Sequence, residues 1–278
     1  MSILLAVDIG NSTIGLGLFH EPAKSRKIFL KKIPVRPARS AAAYKKIISD
    51  FIGLRTTGSK FLTLNIDVIL SSVVPSLNET IIKSLIGITG KKPLIVCHKL
   101  KCGLNLAVTA PSAIGADRIA NAVAGFHYFK KPVAIVDFGT ATTVTVIGRN
   151  SDFIGGAIMP GVHLMQRALH ERTAKLPSVL LKTPMTVLGK NTVSSITSGI
   201  IYGTAGAVET LIRGMEKELG FRLKLVLTGG HAKLVSPLIK RDHSMAPNLT
   251  FEGLRLIYLY IFRLKSLNSG IKEQICMN

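Results

Sequence analysis

Tryptophan is absent from the 278 residues, aromatic side chains make up only 6%, and cysteine occurs three times. A chain so poor in large rings offers little platform on which the bases of a single-stranded nucleic acid could stack. Cys97, Cys102 and Cys276 are odd in number, which excludes a fully paired disulfide framework, and reduced thiols are expected. Cys97, His98 and Cys102 do not make a zinc site, because no second cluster supplies the remaining ligands. Acidic residues are also scarce, 15 against 36 Lys and Arg, for a formal net charge of +21. Such a balance attracts polyanions, yet the basic residues are scattered in short pairs such as Lys31 and Lys32, Lys45 and Lys46, and Lys130 and Lys131. The expected partner is a small anionic substrate, and nucleic acid is disfavoured. Long apolar runs are missing as well. Hydrophobic residues reach 47%, but Asp67 and Asp137 interrupt the apolar segments, and no run has the length of a membrane span. No basic leader opens the chain, and Asp8 falls where an export signal would be apolar, so a cytoplasmic protein with no membrane partner is expected.

What the chain does have is a repeated turn. Residues 3–19 read ILLAVDIGNSTIGLGLF, an apolar strand ending in Asp8, Gly10, Asn11, Ser12 and Thr13, followed by a second apolar run alternating with glycine. Strand, tight turn and strand bring backbone N–H groups and two hydroxyls close to whatever lies above them. Gly10 removes a side chain that would block close approach, and Asp8 can orient a metal-bound water beside a phosphate. Alone, Asp-x-Gly after a strand is common in hairpins. However, Val136-Asp137-Phe138-Gly139-Thr140 repeats Val7-Asp8-Ile9-Gly10-Asn11 half a chain later. Two copies predict two related halves facing each other across a cleft, each offering one turn to the same nucleotide.

The intervening pattern is α/β. A basic strand is expected over 26–33, then a helix over 41–51 capped by Ser40, with Tyr44, Ile47, Ile48 and Phe51 at helical spacing. A strand over 68–74 precedes a helix over 77–86, whose Ser76 and Glu79 form a capping-box pattern. A strand over 93–97 and an extended stretch over 104–109 follow. This order is that of a ribonuclease H-like domain, a fold-level analogy. The second half reads as strands over 133–137, 142–147 and 153–158, a helix near 162–169, a loop over 172–186 and a long helix over 192–219. Gly199, Gly203 and Gly206 in that last helix permit close packing, as at a dimer or domain interface or within a core. A strand over 223–227 leads to Thr228-Gly229-Gly230, which opens another helix as an adenosine-side contact or a plain strand-to-helix turn. The tail from Lys265 is expected to fray. Two domains are anticipated, 1–128 and 129–278.

The third informative stretch is Gly115-Ala116-Asp117-Arg118. Asp117 and Arg118 fall at a helix start, where the dipole keeps a carboxylate ionised. An acid beside a fixed guanidinium can accept a hydroxyl proton while the guanidinium holds a substrate carboxylate. An ordinary N-terminal acid with a solvated neighbour is the competing reading. His163, at another helix start, is expected to be partly buried and hydrogen-bonded rather than catalytic.

Taken together, Asp8-Ile9-Gly10-Asn11-Ser12, Gly115-Ala116-Asp117-Arg118 and Asp137-Phe138-Gly139-Thr140-Ala141-Thr142-Thr143 resemble the three signature motifs of the type III pantothenate kinases. The likeness continues in family order through 155–161, 174–177, 189–192, 198–200, 228–230 and 249–254. The resemblance implies two duplicated ribonuclease H-like domains of the actin and sugar-kinase superfamily with a nucleotide cleft between them. It also implies ATP-dependent phosphorylation of the terminal hydroxyl of pantothenate, the first step towards coenzyme A. Carried over by motif, Asp8, Ile9, Gly10, Asn11, Ser12, Thr13, Ile14 and Gly15 hold the ATP phosphates, and Asp8 positions magnesium through water. Asp117 is the general base, and Gly115, Ala116, Asp117 and Arg118 line the pantothenate site. Asp137 binds a monovalent cation, potassium or ammonium, and Thr140 touches ATP. Thr192 reaches pantothenate across the interface of a homodimer.

One departure stands out: a tyrosine that the family carries shortly before Gly-x-Asp-Arg is replaced by Val108, which keeps an apolar wall but removes a hydroxyl and a ring. Two other readings stay open. A non-catalytic relative that binds nucleotide or pantothenate draws on Val108 and is opposed by the intact Asp117. A ribonuclease H-like nuclease draws on the basic charge but needs clustered carboxylates for two metals.

Overall fold

The computed structural model describes residues 2–54 and 65–267. Most of the tail expected to fray therefore lies outside the described residues. The chain forms two compact units, the first made of Met1–Leu104, Thr109–Ala124 and the segment from Thr250, the second of Asn105–Val108 and Gly125–Leu249. The expected boundary at 128 differs on two counts. The first unit ends four residues earlier, and the last segment of the chain returns to it.

In the first unit, β1 (Ser2–Ile9), β2 (Thr13–His20) and β3 (Ile28–Pro34) form an antiparallel meander. Helix α1 (Ala41–Gly53) then leads to β4 (Asn65–Ser72), which lies parallel to β1, and α2 (Pro75–Thr89) leads to the short β5 (Leu94–Ile95). The sheet order is β3-β2-β1-β4-β5. Ser40 caps α1 as expected, its side chain accepting the Ala43 N–H at 3.3 Å. The capping box on α2 does not form. That helix starts two residues earlier, at Pro75, whose fixed φ suits the first helical position. The chain entry is held instead by Ser72, whose Oγ accepts the Val74 N–H at 3.1 Å, and Glu79 pairs with Lys83 at 2.6 Å.

β1 is buried on both sides because helices cover both faces of the sheet. Ile3, Leu5, Val7 and Ile9 join Tyr44, Ile48 and Phe51 of α1 and Ile81 and Leu85 of α2. Leu4 and Ala6 on the other face join Ile119 and Ala120 of α3 (Ala116–Phe129) and Phe251, Leu254 and Ile257 of α7 (Leu249–Leu267). Glycine allows α7 this close. A Cβ on Gly253 would lie 1.9 Å from the Ala120 carbonyl oxygen, and one on Gly15 or Gly17 would lie 2.7 Å from the Phe251 ring. Arg255 of α7 is almost fully buried, donating to the Pro22 carbonyl at 2.7 Å and to Glu252 at 3.1 Å. Cys102 is free and buried, which pushes its thiol pKa up. Cys97 is disulfide-bonded, against the expectation of reduced thiols.

The second unit contains β6 (Asn105–Leu106), β7 (Val133–Phe138), β8 (Ala141–Ile147), β9 (Asp152–Pro160), α4 (Val162–Glu171), α5 (Thr192–Leu219), β10 (Lys224–Thr228), α6 (Ala232–Val235) and β11 (His243–Met245). Its sheet order is β11-β10-β7-β8-β9-β6. Without β6 and read from the other end, β9-β8-β7-β10-β11 reproduces the order of the first sheet, as the repeated turn predicts. The helix after Gly229-Gly230 is only four residues long. The core gathers Ala134, Val136 and Phe138 of β7 with Ile200, Ile201, Val208 and Ile212 of α5.

Candidate functional site: two acid-glycine turns and the start of α3

In the first unit, β1 and β2 are joined by a turn closed by the Gly10 N–H donating to the Thr13 carbonyl at 3.0 Å. Asn11, Ser12 and Thr13 are exposed on it. A side-chain period of two carries Asp8 onto the face of β1 that holds Leu4 and Ala6, the face covered by α3. Its register partner on β4 is Ser71, whose fully buried Oγ has no hydrogen-bond partner. Three residues of the expected phosphate turn have other work. Ile9 and Ile14 are fully buried in the α1 and α2 core, and the Ile9 carbonyl accepts the Val73 N–H at 3.0 Å. Gly15 makes room for Phe251.

Asp117 sits in the first turn of α3 as expected. Gly115 is required beside it, since a Cβ there would lie 2.4 Å from Asp117 Oδ1. The Arg118 N–H donates to the same oxygen at 2.8 Å. The helix start alone suggests a readily ionised acid, but burial dominates and raises the Asp117 pKa, against the Arg118 N–H and guanidinium, which pull it down. Burial likewise lowers the Arg118 pKa. One helical turn further, the buried Asn121 accepts a hydrogen bond from Thr250 at 2.9 Å, which ties α3 to the start of α7.

In the second unit, the Gly139 N–H donates to the Ala141 carbonyl at 3.1 Å and closes the corresponding turn, with Thr140 exposed. The Asp137 carboxylate lies between two glycines: a Cβ on Gly139 would stand 3.3 Å from Oδ1, and one on Gly229 only 2.3 Å. Gly229 also has a φ of +93°, which glycine tolerates and other residues resist. Its place against Asp137 was not expected from sequence. The signal is a glycine pair directly after β10, the strand parallel to β7 that pairs Thr228 with Asp137. Gly161 is equally constrained, because a Cβ would lie 2.3 Å from the Thr140 carbonyl oxygen.

The family model described as type III pantothenate kinase matches residues 4–214, a span that contains both turns and the start of α3. The chain belongs to the type III pantothenate kinase family. A type III pantothenate kinase of Geobacter sulfurreducens is 36% identical over 256 residues, covering 92% of this chain and 98% of that protein. One of Brevibacillus brevis is 38% identical with the same coverage of both chains. Among solved structures, the (R)-2-hydroxyglutaryl-CoA dehydratase component A of Acidaminococcus fermentans superposes with a TM-score of 0.55 at 14% identity, covering 96% of this chain and 100% of that one, a likeness of fold alone. The two units share that α/β fold.

Within this pantothenate kinase family member, the substrate residues inferred by motif fall in both units. Gly115, Ala116, Asp117 and Arg118 belong to the first, while Val108 and Thr192 belong to the second. Val108 is half-buried just after β6, and Thr192 is exposed as the first residue of α5, behind an Asn191 cap that accepts the Ser194 N–H at 2.9 Å. Gly199, Gly203 and Gly206 of α5 are exposed, and a Cβ on any of them would touch nothing within 4 Å.

Two places suit cations. Asp8 and the unpartnered Ser71 hydroxyl provide hard oxygen donors, and the glycine-walled Asp137 carboxylate provides another. Among the described residues no group of three or more His, Cys, Asp or Glu is placed to hold a metal ion.

Proposed function

We propose that this chain transfers the γ-phosphoryl group of ATP to the terminal hydroxyl of pantothenate, the first step towards coenzyme A. The observation that carries the reading is the Asp117 carboxylate, held at the start of α3 against Gly115 and beside Arg118 within the span of the family match. Phosphoryl transfer passes through a loose transition state, so catalysis rests on positioning and on balancing charge over the phosphoryl oxygens. N–H groups of the turn beyond Gly10 receive the phosphates, and Thr140 contributes from the second turn. Asp117 orients the substrate hydroxyl and takes its proton as the oxygen bonds to the γ-phosphorus and the bond to the bridging oxygen breaks, releasing ADP. Arg118 pairs with the pantothenate carboxylate.

Asp8 and Ser71 would hold magnesium, and Asp137 a potassium or ammonium ion; bound there, these cations supply positive charge to the phosphates. The protein acts as a cytoplasmic homodimer joined along the exposed glycines of α5, which leaves Thr192 of one copy at the pantothenate site of the other. Val108 gives that site an apolar wall.

The test is phosphopantothenate formation, followed by mass spectrometry with ATP, magnesium and pantothenate in potassium or sodium buffer. Product is expected from the native protein in potassium, with loss of about 10²–10⁴ in rate for Asp117→Asn. No product from the native protein at saturating substrates overturns the reading.

A further inference from the structure

Two histidines converge on the second turn. His163 belongs to the first turn of α4, and His231 immediately precedes α6; their ring centroids are 4.5 Å apart with the planes at 64°. Both are anchored to the turn through the main chain. The His231 N–H donates to the Phe138 carbonyl at 3.0 Å, and the Gly161 N–H, two residues before His163, donates to the Thr140 carbonyl at 3.1 Å. The segments carrying the two rings are thus tied to residues on either side of Gly139. Glycine lets both segments come close to the turn, since a Cβ on Gly161 would run into the Thr140 carbonyl and one on Gly229 into the Asp137 carboxylate. His163 is exposed, so its ring is accessible from solvent, and no side chain caps the α4 start beside it.

We infer that His163 and His231 form a two-imidazole grip on the phosphate oxygens of the nucleotide held at this turn. This rests on the nucleotide reading given above and adds two ligand contacts that the acid-glycine motif does not include. Imidazole N–H groups are good donors to phosphate oxygens, and the steep angle between the rings aims their edges in different directions, which suits two oxygens of a tetrahedral group. An edge-to-face pair serving packing alone would show no preference for a charged ligand.

Calorimetry with ATP and with adenosine separates the cases. His163→Ala is expected to weaken ATP binding about tenfold while leaving adenosine binding unchanged, since a hydrogen bond to a charged group is lost and no base contact changes. In the native protein, the imidazole C–H resonances of both histidines are expected to shift on adding ATP and to stay in place with adenosine. Unchanged ATP affinity in His163→Ala, or resonances indifferent to ATP that binds, overturns the grip while leaving the kinase reading intact. Failure of the native protein to bind ATP at all overturns the nucleotide reading and the grip with it.

Discussion

At Asp117 two local effects oppose each other and burial prevails. The helix start and the Arg118 N–H favour the carboxylate, yet removal from water raises its pKa overall. A base must be ionised to act, so the acid limb of kcat/KM should lie above the ordinary carboxylate range, and a pH-rate profile measures it. The same shift has a stability consequence of opposite sense. A carboxyl whose folded pKa is raised stabilises the protein below its ordinary pKa, and that contribution is lost as pH rises through the raised value. Asp117→Asn should therefore melt at a higher temperature than the native protein at pH 7, which calorimetric melts would reveal. The acid at a helix start was legible in the sequence, but the dipole was expected to keep it ionised; that burial outweighs the dipole, and that Gly115 packs against its Oδ1, was not. Nor were the partners of Gly15 and Gly229, since Phe251 and Asp137 come from distant parts of the chain.

Among elements, α5 is the one whose bounds the sequence marks most clearly. Asn191 caps its start, and Gly220 closes its end in the left-handed conformation at φ +71°. Near that end Glu216, 7% exposed, accepts a two-pronged contact from Arg241, the Leu223 N–H at 2.7 Å and Arg222 at 3.1 Å. The Arg241 contact foremost holds the Glu216 carboxyl well below its ordinary 4.5, at about 2. A depressed acid contributes stability in full above its ordinary pKa and loses it as pH falls through the folded value. Native stability should thus drop between pH 4.5 and about 2, and Glu216→Gln should cost about 2–3 kcal/mol at pH 7, measurable by urea denaturation. Two elements were read less well. Ser76 and Glu79 satisfy a capping pattern, but Pro75 pre-empts it by starting α2 earlier. No helix was expected over 249–267, because LRLIYLYIF is apolar on nearly every side and shows no single face.

On the scale of the whole molecule, the formal charge of +21 has no concentrated counterpart in the motifs. Affinity built on scattered charge depends on counterion release and disappears with salt. Gel-shift assays with duplex DNA should show binding at about 50 mM salt and none near 200 mM; retention at the higher salt would contradict a small-anion role for the charge. The duplication was legible because the turn repeats. The division between units was not, because it depends on a helix at the far end of the sequence packing beside the first strand. That return has a consequence for biosynthesis. Leu4, Ala6, Phe19 and Ile69 are covered in part by Phe251, Leu254 and Ile257, so β1 and β2 wait for a helix made much later in the chain. Until then a nascent chain displays an unfinished apolar face, which makes it a natural client for chaperones throughout its synthesis.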